Sequence, residues 1–198
     1  MAFNPKDHYY KKAKKENFAA RSVFKLEEID QKFKLFRPGQ LVLDLGASPG
    51  SWSQYSSKKI GSGGRILGVD LSPVTVSLPN AVFLRADLRD LNLVEIFKEH
   101  GFEPPFDLVL SDMAPNTTGI RNTDQARSME LCELALSVAR EFLKPDGHFV
   151  CKLFHSDDFT KLRNEIKKSF DRFEAVKPDS TRKISKEIFL VGLKKKRR

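Results

Sequence analysis

Four short apolar runs in this chain each meet an aspartate at or just past their carboxyl end. Gln40–Leu45 contains Asp44 and stops at Gly46. Arg65–Val69 leads into Asp70, Ala81–Arg85 is followed by Asp87, and Phe106–Leu110 continues through Ser111 to Asp112. Runs of this length and composition read as buried strands. Stretches with helical spacing lie between them: Ser51–Ile60, Leu91–Glu99 and Asp124–Leu143, the last with Leu131, Leu134, Ala135, Val138 and Phe142 along one face. Lys144-Pro145-Asp146-Gly147 ends that helix, and His148–Phe154 reads as a fifth strand before a helix over Asp158–Phe170. Alternating strands and helices dictate an α/β architecture, a doubly wound, mostly parallel sheet with helices on both faces. The last two runs, Phe173–Val176 and Ile188–Leu193, are joined by Lys177–Lys186, which leaves no room for a crossover helix. That pair is expected to be antiparallel. Upstream, Val23, Leu26, Ile29, Phe33 and Phe36 make Ala19–Phe36 a helix, stopped by Arg37-Pro38-Gly39.

A doubly wound sheet binds ligands beyond the carboxyl ends of its strands, so the four aspartates mark the working edge. The first run opens into Asp44-Leu45-Gly46-Ala47-Ser48-Pro49-Gly50. Its spacing is D-x-G-x-x-x-G and not the G-x-G-x-x-G of dinucleotide enzymes. An acid beside a glycine turn suits a ligand that carries an ammonium and no pyrophosphate. Asp70 is placed to accept both ribose hydroxyls of a nucleoside. Asp87, or its backbone, is placed for an adenine amine, or else simply caps the helix that follows. Together these acids point to an adenosine ligand without phosphate, and S-adenosylmethionine has that chemistry. Asp112 would then face the reacting centre. Lys152 stands inside an apolar strand, where an ammonium is costly to bury unless it is paired. Glu187 opens the last strand, and Lys25 lies mid-helix in Ser22-Val23-Phe24-Lys25-Leu26.

Charge is placed unevenly. Residues 1–40 carry a net +5 and residues 177–198 a net +7, while the total is +9, so the centre is mildly acidic. Basic ends of this kind suit a polyanion such as nucleic acid. Lys11, Lys12, Lys14, Lys15 and Arg21 at one end, with Arg182 and Lys183 at the other, are the candidate phosphate contacts. Tyr9 and Tyr10 are candidates for stacking on bases, whereas Phe18 is expected in the core. The Lys194–Arg198 tail reads equally as a nucleic-acid contact or as a solvated end. The Met1–Lys15 segment has no apolar core of a secretory leader, and no run is long enough to span a bilayer. Cys132 and Cys151 have no metal-ligand spacing and are expected as buried free thiols in a reducing cytoplasm. No metal is expected.

These residues resemble the FtsJ/RrmJ (RlmE) family of ribosomal RNA ribose 2′-O-methyltransferases from about Asp7 to Leu193. The matching stretches are Arg21-Ser22-Val23-Phe24-Lys25-Leu26, Asp44 to Tyr55, Ser111 to Asn116, Lys152-Leu153-Phe154 and Lys177-Pro178-Asp179-Ser180-Thr181-Arg182. The resemblance implies a Rossmann-like S-adenosylmethionine-dependent methyltransferase fold, a seven-stranded sheet with an antiparallel last strand. It implies a catalytic tetrad of Lys25, Asp112, Lys152 and Glu187. It also implies donor contacts at Gly50, Trp52, Asp70, Asp87 and Asp112, beside Asp44 and Gly46 of the glycine turn. The sequence departs from the family at Ser51, where glycine is common, and at His155-Ser156-Asp157-Asp158.

The activity implied is methyl transfer to a ribose 2′-hydroxyl of RNA, with Lys152 either removing the hydroxyl proton or, as a cation, orienting the hydroxyl. A uridine of 23S ribosomal RNA in the assembled large subunit is the expected target. The chain is expected to be one methyltransferase domain, monomeric, with no DNA or membrane partner. Transfer RNA is the alternative acceptor. A nicotinamide-dependent oxidoreductase is disfavoured by the missing G-x-G-x-x-G. A catalytically silent RNA-binding module is disfavoured by the complete tetrad.

Overall fold

The computed structural model describes residues 8–154 and 159–197. Seven strands form one sheet: β1 (Leu41–Leu45), β2 (Arg65–Asp70), β3 (Ala81–Arg85), β4 (Phe106–Ser111), β5 (Leu143–Phe154), β6 (Phe170–Val176) and β7 (Glu187–Lys195). Their order is β3-β2-β1-β4-β5-β7-β6. The first five strands pair in parallel, and β7 pairs antiparallel with both β5 and β6. The helices are α1 (His8–Lys15), α2 (Val23–Phe33), α3 (Ser51–Ile60), α4 (Leu93–Glu99), α5 (Arg121–Phe142) and α6 (Thr160–Ser169).

Side chains alternate across the central strands, and this alternation sorts the core into two layers. Val42, Leu108, Leu110, Val150, Phe189 and Val191 pack on one face against Val23, Phe24, Leu26 and Ile29 of α2 and Trp52, Tyr55 and Ile60 of α3. Leu43, Leu45, Val109, Phe149, Cys151, Leu153 and Leu190 pack on the other face, under Phe97 of α4, Cys132, Ala135, Leu136 and Ala139 of α5, and Leu162 and Ile166 of α6. Each such Leu or Phe contributes roughly 1.5–3 kcal/mol on burial. Both cysteines are buried free thiols, as expected.

Several element boundaries differ from the sequence expectation for identifiable reasons. The helix expected over Ala19–Phe36 occupies only Val23–Phe33. Lys34 adopts a left-handed conformation, φ 54°. The Asp30 carboxylate then draws the chain back by accepting the Leu35 and Phe36 N–H groups at 2.9 and 3.2 Å. The same carboxylate accepts from the Tyr55 hydroxyl at 2.8 Å, tying α2 to α3. Helix α5 starts at Arg121, not Asp124; the Asp124 carboxylate instead accepts from Thr118 and Gly119 in the preceding loop. The Lys144–Gly147 turn is a bulge within β5, where Leu143 pairs with Phe106 but His148 with Leu108. Strand β6 begins at Phe170 because that ring stacks on Phe149, centroids 5.9 Å apart. The departure at His155–Asp158, and Asp158 as a helix start, lie outside the described residues.

His148, 6% exposed, accepts the Lys194 N–H on Nδ1 at 3.1 Å. Burial, helped by Arg37 and Lys194, lowers its pKa to about 4. The unfolded chain binds a proton at this imidazole from pH 6.5 downwards, and the fold does so only near 4. Its neutral form therefore contributes stability that is complete above 6.5 and is lost as pH falls towards 4, by at most about 3 kcal/mol. Unfolding curves at pH 7 and pH 5 should show a smaller acid-dependent loss for His148→Gln than for wild type.

Candidate active site

The parallel strands β4 and β5 end at one edge of the sheet, and antiparallel β7 begins there. Lys152 of β5 stands opposite Phe189 of β7, and Glu187 opposite Phe154. Residues paired in this way share a face, so Lys152 and Glu187 project to the α2 side. Two ion pairs form there. Lys152 Nζ lies 2.9 Å from Asp112 Oδ1 and donates to the Asp112 carbonyl at 2.5 Å. Its line to the carboxylate is off the axis of a hydrogen bond, so that contact is a charge pair. Lys25 Nζ, from α2, pairs with Glu187 Oε1 and sits 5.9 Å from the Phe189 ring centroid. All four side chains are 17% exposed or less. The structure thus brings Lys25, Asp112, Lys152 and Glu187 to one edge as two shielded pairs.

A cleft with a cavity of about 110 Å³ opens past β1, β2 and β3. Asp70 and Asp87 stand on its rim, and Leu71, Leu88, Met113, Leu131 and Leu134 form apolar walls. The Asp70 carboxylate accepts the Ser48 and Ser72 N–H groups at 2.9 and 2.7 Å, which ties the glycine turn to β2. A carboxylate has about four acceptor directions, so Asp70 retains capacity for a ligand. Gly46 has φ +78°, and a Cβ there would stand 2.7 Å from the Met113 backbone nitrogen. Only glycine permits this approach of the β1 and β4 ends. Gly50 caps α3 with φ +117° and lies under Val76.

Asp44 is fully buried. Its Oδ2 accepts from Ser53 Oγ at 2.5 Å, and its Oδ1 has no partner. Burial, opposed by the Ser53 hydroxyl and reinforced by Asp112 and Asp70, raises its pKa to about 7.

Trp52, Asp87 and Ser51 each have structural partners of their own. The Trp52 indole is buried in the core, donates to the Ser22 carbonyl at 3.0 Å and packs on Phe189. The backbone N–H of Trp52 lies in the first turn of α3, where no carbonyl of the helix accepts it. Asp87 caps the short 3-10 turn Leu88–Asp90 through the Arg89 N–H, and its carboxylate is held below the ordinary range by the Arg89 guanidinium at 2.6 Å. Both readings of Asp87 are thus compatible with its place on the cleft rim. Ser51, the family departure, turns its hydroxyl onto Ser22 Oγ at 2.9 Å, where it is buried.

Among the candidate phosphate contacts, Lys11, Lys14 and Lys15 are exposed on α1 and Lys183 on the β6–β7 loop. Lys12, partly exposed, lies 4.3 Å over the Phe24 ring and near Glu16 and Glu27. Arg21 donates to the Ser180 carbonyl and lies over Tyr9, and Arg182 is half-buried beside them. Tyr9 packs on Phe24, as does Phe18, and Tyr10 is exposed. Met113, Leu131 and Leu134 are further cleft walls. Their apolar character is visible in the sequence, but the spacing of Leu131 and Leu134 matches the core stripe of α5, which they adjoin. Among the described residues no group of His, Cys, Asp or Glu is arranged to hold a metal, and no helix is long and apolar enough to cross a membrane.

The sheet order and the ligand edge are those of a Rossmann-like methyltransferase. Solved structures with this fold include a Plasmodium falciparum protein described as a ribosomal RNA methyltransferase, with TM-score 0.77 and 25% identity over 91% of this chain and all of that one. They also include Aeropyrum pernix fibrillarin with bound S-adenosyl-L-methionine, with TM-score 0.56 and 18% identity over 79% of this chain and 67% of that one. The FtsJ-like methyltransferase model matches residues 18–195. A ribosomal RNA large subunit methyltransferase E from Bdellovibrio bacteriovorus is 81% identical over 99% of this chain and all of that one. A relative of the same name from Desulfatibacillum aliphaticivorans is 50% identical over 96% of this chain and 91% of that one. The chain belongs to the FtsJ-like methyltransferase family.

The raised pKa of Asp44 has a testable sign. A carboxyl with a folded pKa above its unfolded value costs stability as pH rises from about 4 to about 7, and the cost is constant above that. Asp44→Asn should therefore unfold at a higher temperature than wild type at pH 8, with the gap closing towards pH 4. The cost involved is a few kcal/mol at most, on the order of 1.4 kcal/mol per pH unit.

Proposed function

We propose that this methyltransferase transfers the methyl group of S-adenosylmethionine to the 2′-hydroxyl of a uridine in large-subunit (23S) ribosomal RNA, with the assembled subunit as substrate. The observation that carries this reading is the meeting of Lys25–Glu187 and Lys152–Asp112 at the edge where the donor cleft ends. The names of the relatives support the choice of RNA.

The residues fit the donor. The partnerless, buried Asp44 oxygen stands at the glycine turn, where a ligand with an ammonium is favoured. Asp70 and Asp87 would hold the adenosine, the Gly46–Gly50 turn and Trp52 backbone the amino-acid end, and Met113, Leu131 and Leu134 the base. When bound there, S-adenosylmethionine supplies an electrophilic methyl group.

Lys152 is held by a carboxylate and a carbonyl from Asp112. An ammonium has three donors, and one is committed to the Asp112 carbonyl. Another is directed to the acceptor oxygen, so Lys152 orients the hydroxyl and aims its lone pair. The oxygen gains a bond to the methyl carbon as that carbon's bond to the donor sulfur breaks to leave the neutral thioether, and the hydroxyl proton leaves to solvent. Asp112 anchors Lys152, and Lys25 with Glu187 bounds the acceptor's other side. Much of the rate enhancement then comes from positioning. The exposed lysines of α1 and the β6–β7 loop hold phosphates, so binding weakens steeply with salt.

The test is transfer of labelled methyl to unmodified large ribosomal subunits, with naked ribosomal RNA and transfer RNA alongside. Lys152→Ala should lower turnover by about 100-fold or more while donor affinity changes little. Label appearing only on transfer RNA would keep the chemistry and replace the substrate. Undiminished turnover in Lys152→Ala would remove Lys152 from the mechanism.

A further inference from the structure

The β6–β7 loop, residues 177–186, leads directly into Glu187. It is bound to α2 near its start. Glu28 Oε2 accepts the Asp179 N–H at 2.6 Å, and Oε1 accepts the Ser180 N–H at 3.0 Å. Arg21, at the turn entering α2, donates to the Ser180 carbonyl. Ser180 and Thr181 are 1% and 6% exposed, so this part of the loop is packed like core. Hydrogen bonds from backbone N–H groups to a carboxylate are charge-assisted and about twice as strong as neutral ones.

Glu28 lies three residues from Lys25 on α2, so the two side chains share a helix face. One rigid element therefore carries both the clamp on the loop and the partner of Glu187. Glu187 needs such a reference. It is the first residue of β7, and its pair with Phe154 is the last of the β5–β7 ladder. The ladder holds it from one side only.

We propose that Glu28 is a positioning residue for methyl transfer: by holding Asp179 and Ser180 against α2, it fixes the loop whose far end presents Glu187 to Lys25. This rests on the reading of the four charged residues as the catalytic group. Glu28 itself touches neither the donor cleft nor the Lys152–Asp112 pair; it acts through Glu187.

The experiment is a double-mutant cycle on the full chain. The kcat and KM for large-subunit RNA, the donor Kd and the thermal midpoint are measured for wild type, Glu28→Ala and Glu28→Gln, each with Glu187 intact and as Glu187→Gln. Glu28→Ala is expected to lower kcat about 10- to 100-fold, the scale of a displacement of roughly 1 Å. The donor Kd should stay within about twofold. Glu28→Gln should recover part of the loss, because its carbonyl keeps one acceptor. In the Glu187→Gln background the Glu28 substitutions should cost less than about twofold more, since the residue they act through is already disabled. If Glu28→Ala does not fold, Glu28→Gln completes the same cycle. The proposal is overturned if both Glu28 variants of an active enzyme keep full kcat, or if their loss is the same in both backgrounds. A wild-type protein that transfers no methyl to any RNA would overturn the functional reading, and this inference with it.

Discussion

In a wholly parallel sheet the first residue of each strand lies at the edge opposite the last. Because β7 runs antiparallel between β5 and β6, its first residue comes to the edge where β4 and β5 finish. Glu187 can then meet Lys25 beside Asp112 and Lys152. Reversing one strand gathers side chains from β5, β7, α2 and the turn after β4 without a long loop to carry any of them. Three of the four side chains are borne on regular elements, which hold a site more closely than loops do.

Shielded charges shape that edge. Removing one member of a buried pair leaves the other uncompensated and costs on the order of 3–5 kcal/mol, whereas replacing both with apolar groups is often neutral. Stability alone gives little reason to keep two such pairs, and this weighs towards a chemical role. Asp30 shows the structural use of the same residue type. Its carboxylate accepts backbone N–H groups and the Tyr55 hydroxyl, and so ends one helix and anchors another. Glycine at position 46 belongs with these constraints, since it lets the ends of β1 and β4 close on each other.

Much of this was legible from residue order. The seven strands, the reversal of the closing pair and the four aspartates at strand ends follow from periodicity, turn residues and loop length. What escaped were features set by side chains reaching across the chain. Ala19–Phe36 has unbroken helical spacing, yet it ends early because Asp30 captures the backbone after Lys34. Trp52 lies in the donor motif, but burial of the indole decides its orientation. Lys12 reads from sequence as one more exposed lysine of α1, and its packing over Phe24 beside Glu16 and Glu27 is set by contacts across the chain. Leu131 and Leu134 fit a core stripe in one dimension and line a cleft in three. Glu28 carries no local signal at all, because its partners are about 150 residues away.

Two cations and two anions make the four-residue cluster electrically balanced. A balanced cluster produces little field beyond its own dimensions. It neither repels a positively charged sulfur compound nor draws in a polyanion from a distance. Any long-range attraction must then come from the exposed lysines on α1 and the β6–β7 loop. Under the proposed function, recruitment and reaction are thereby separable, and ionic strength would tune how often an RNA arrives without altering the charges it meets on arrival.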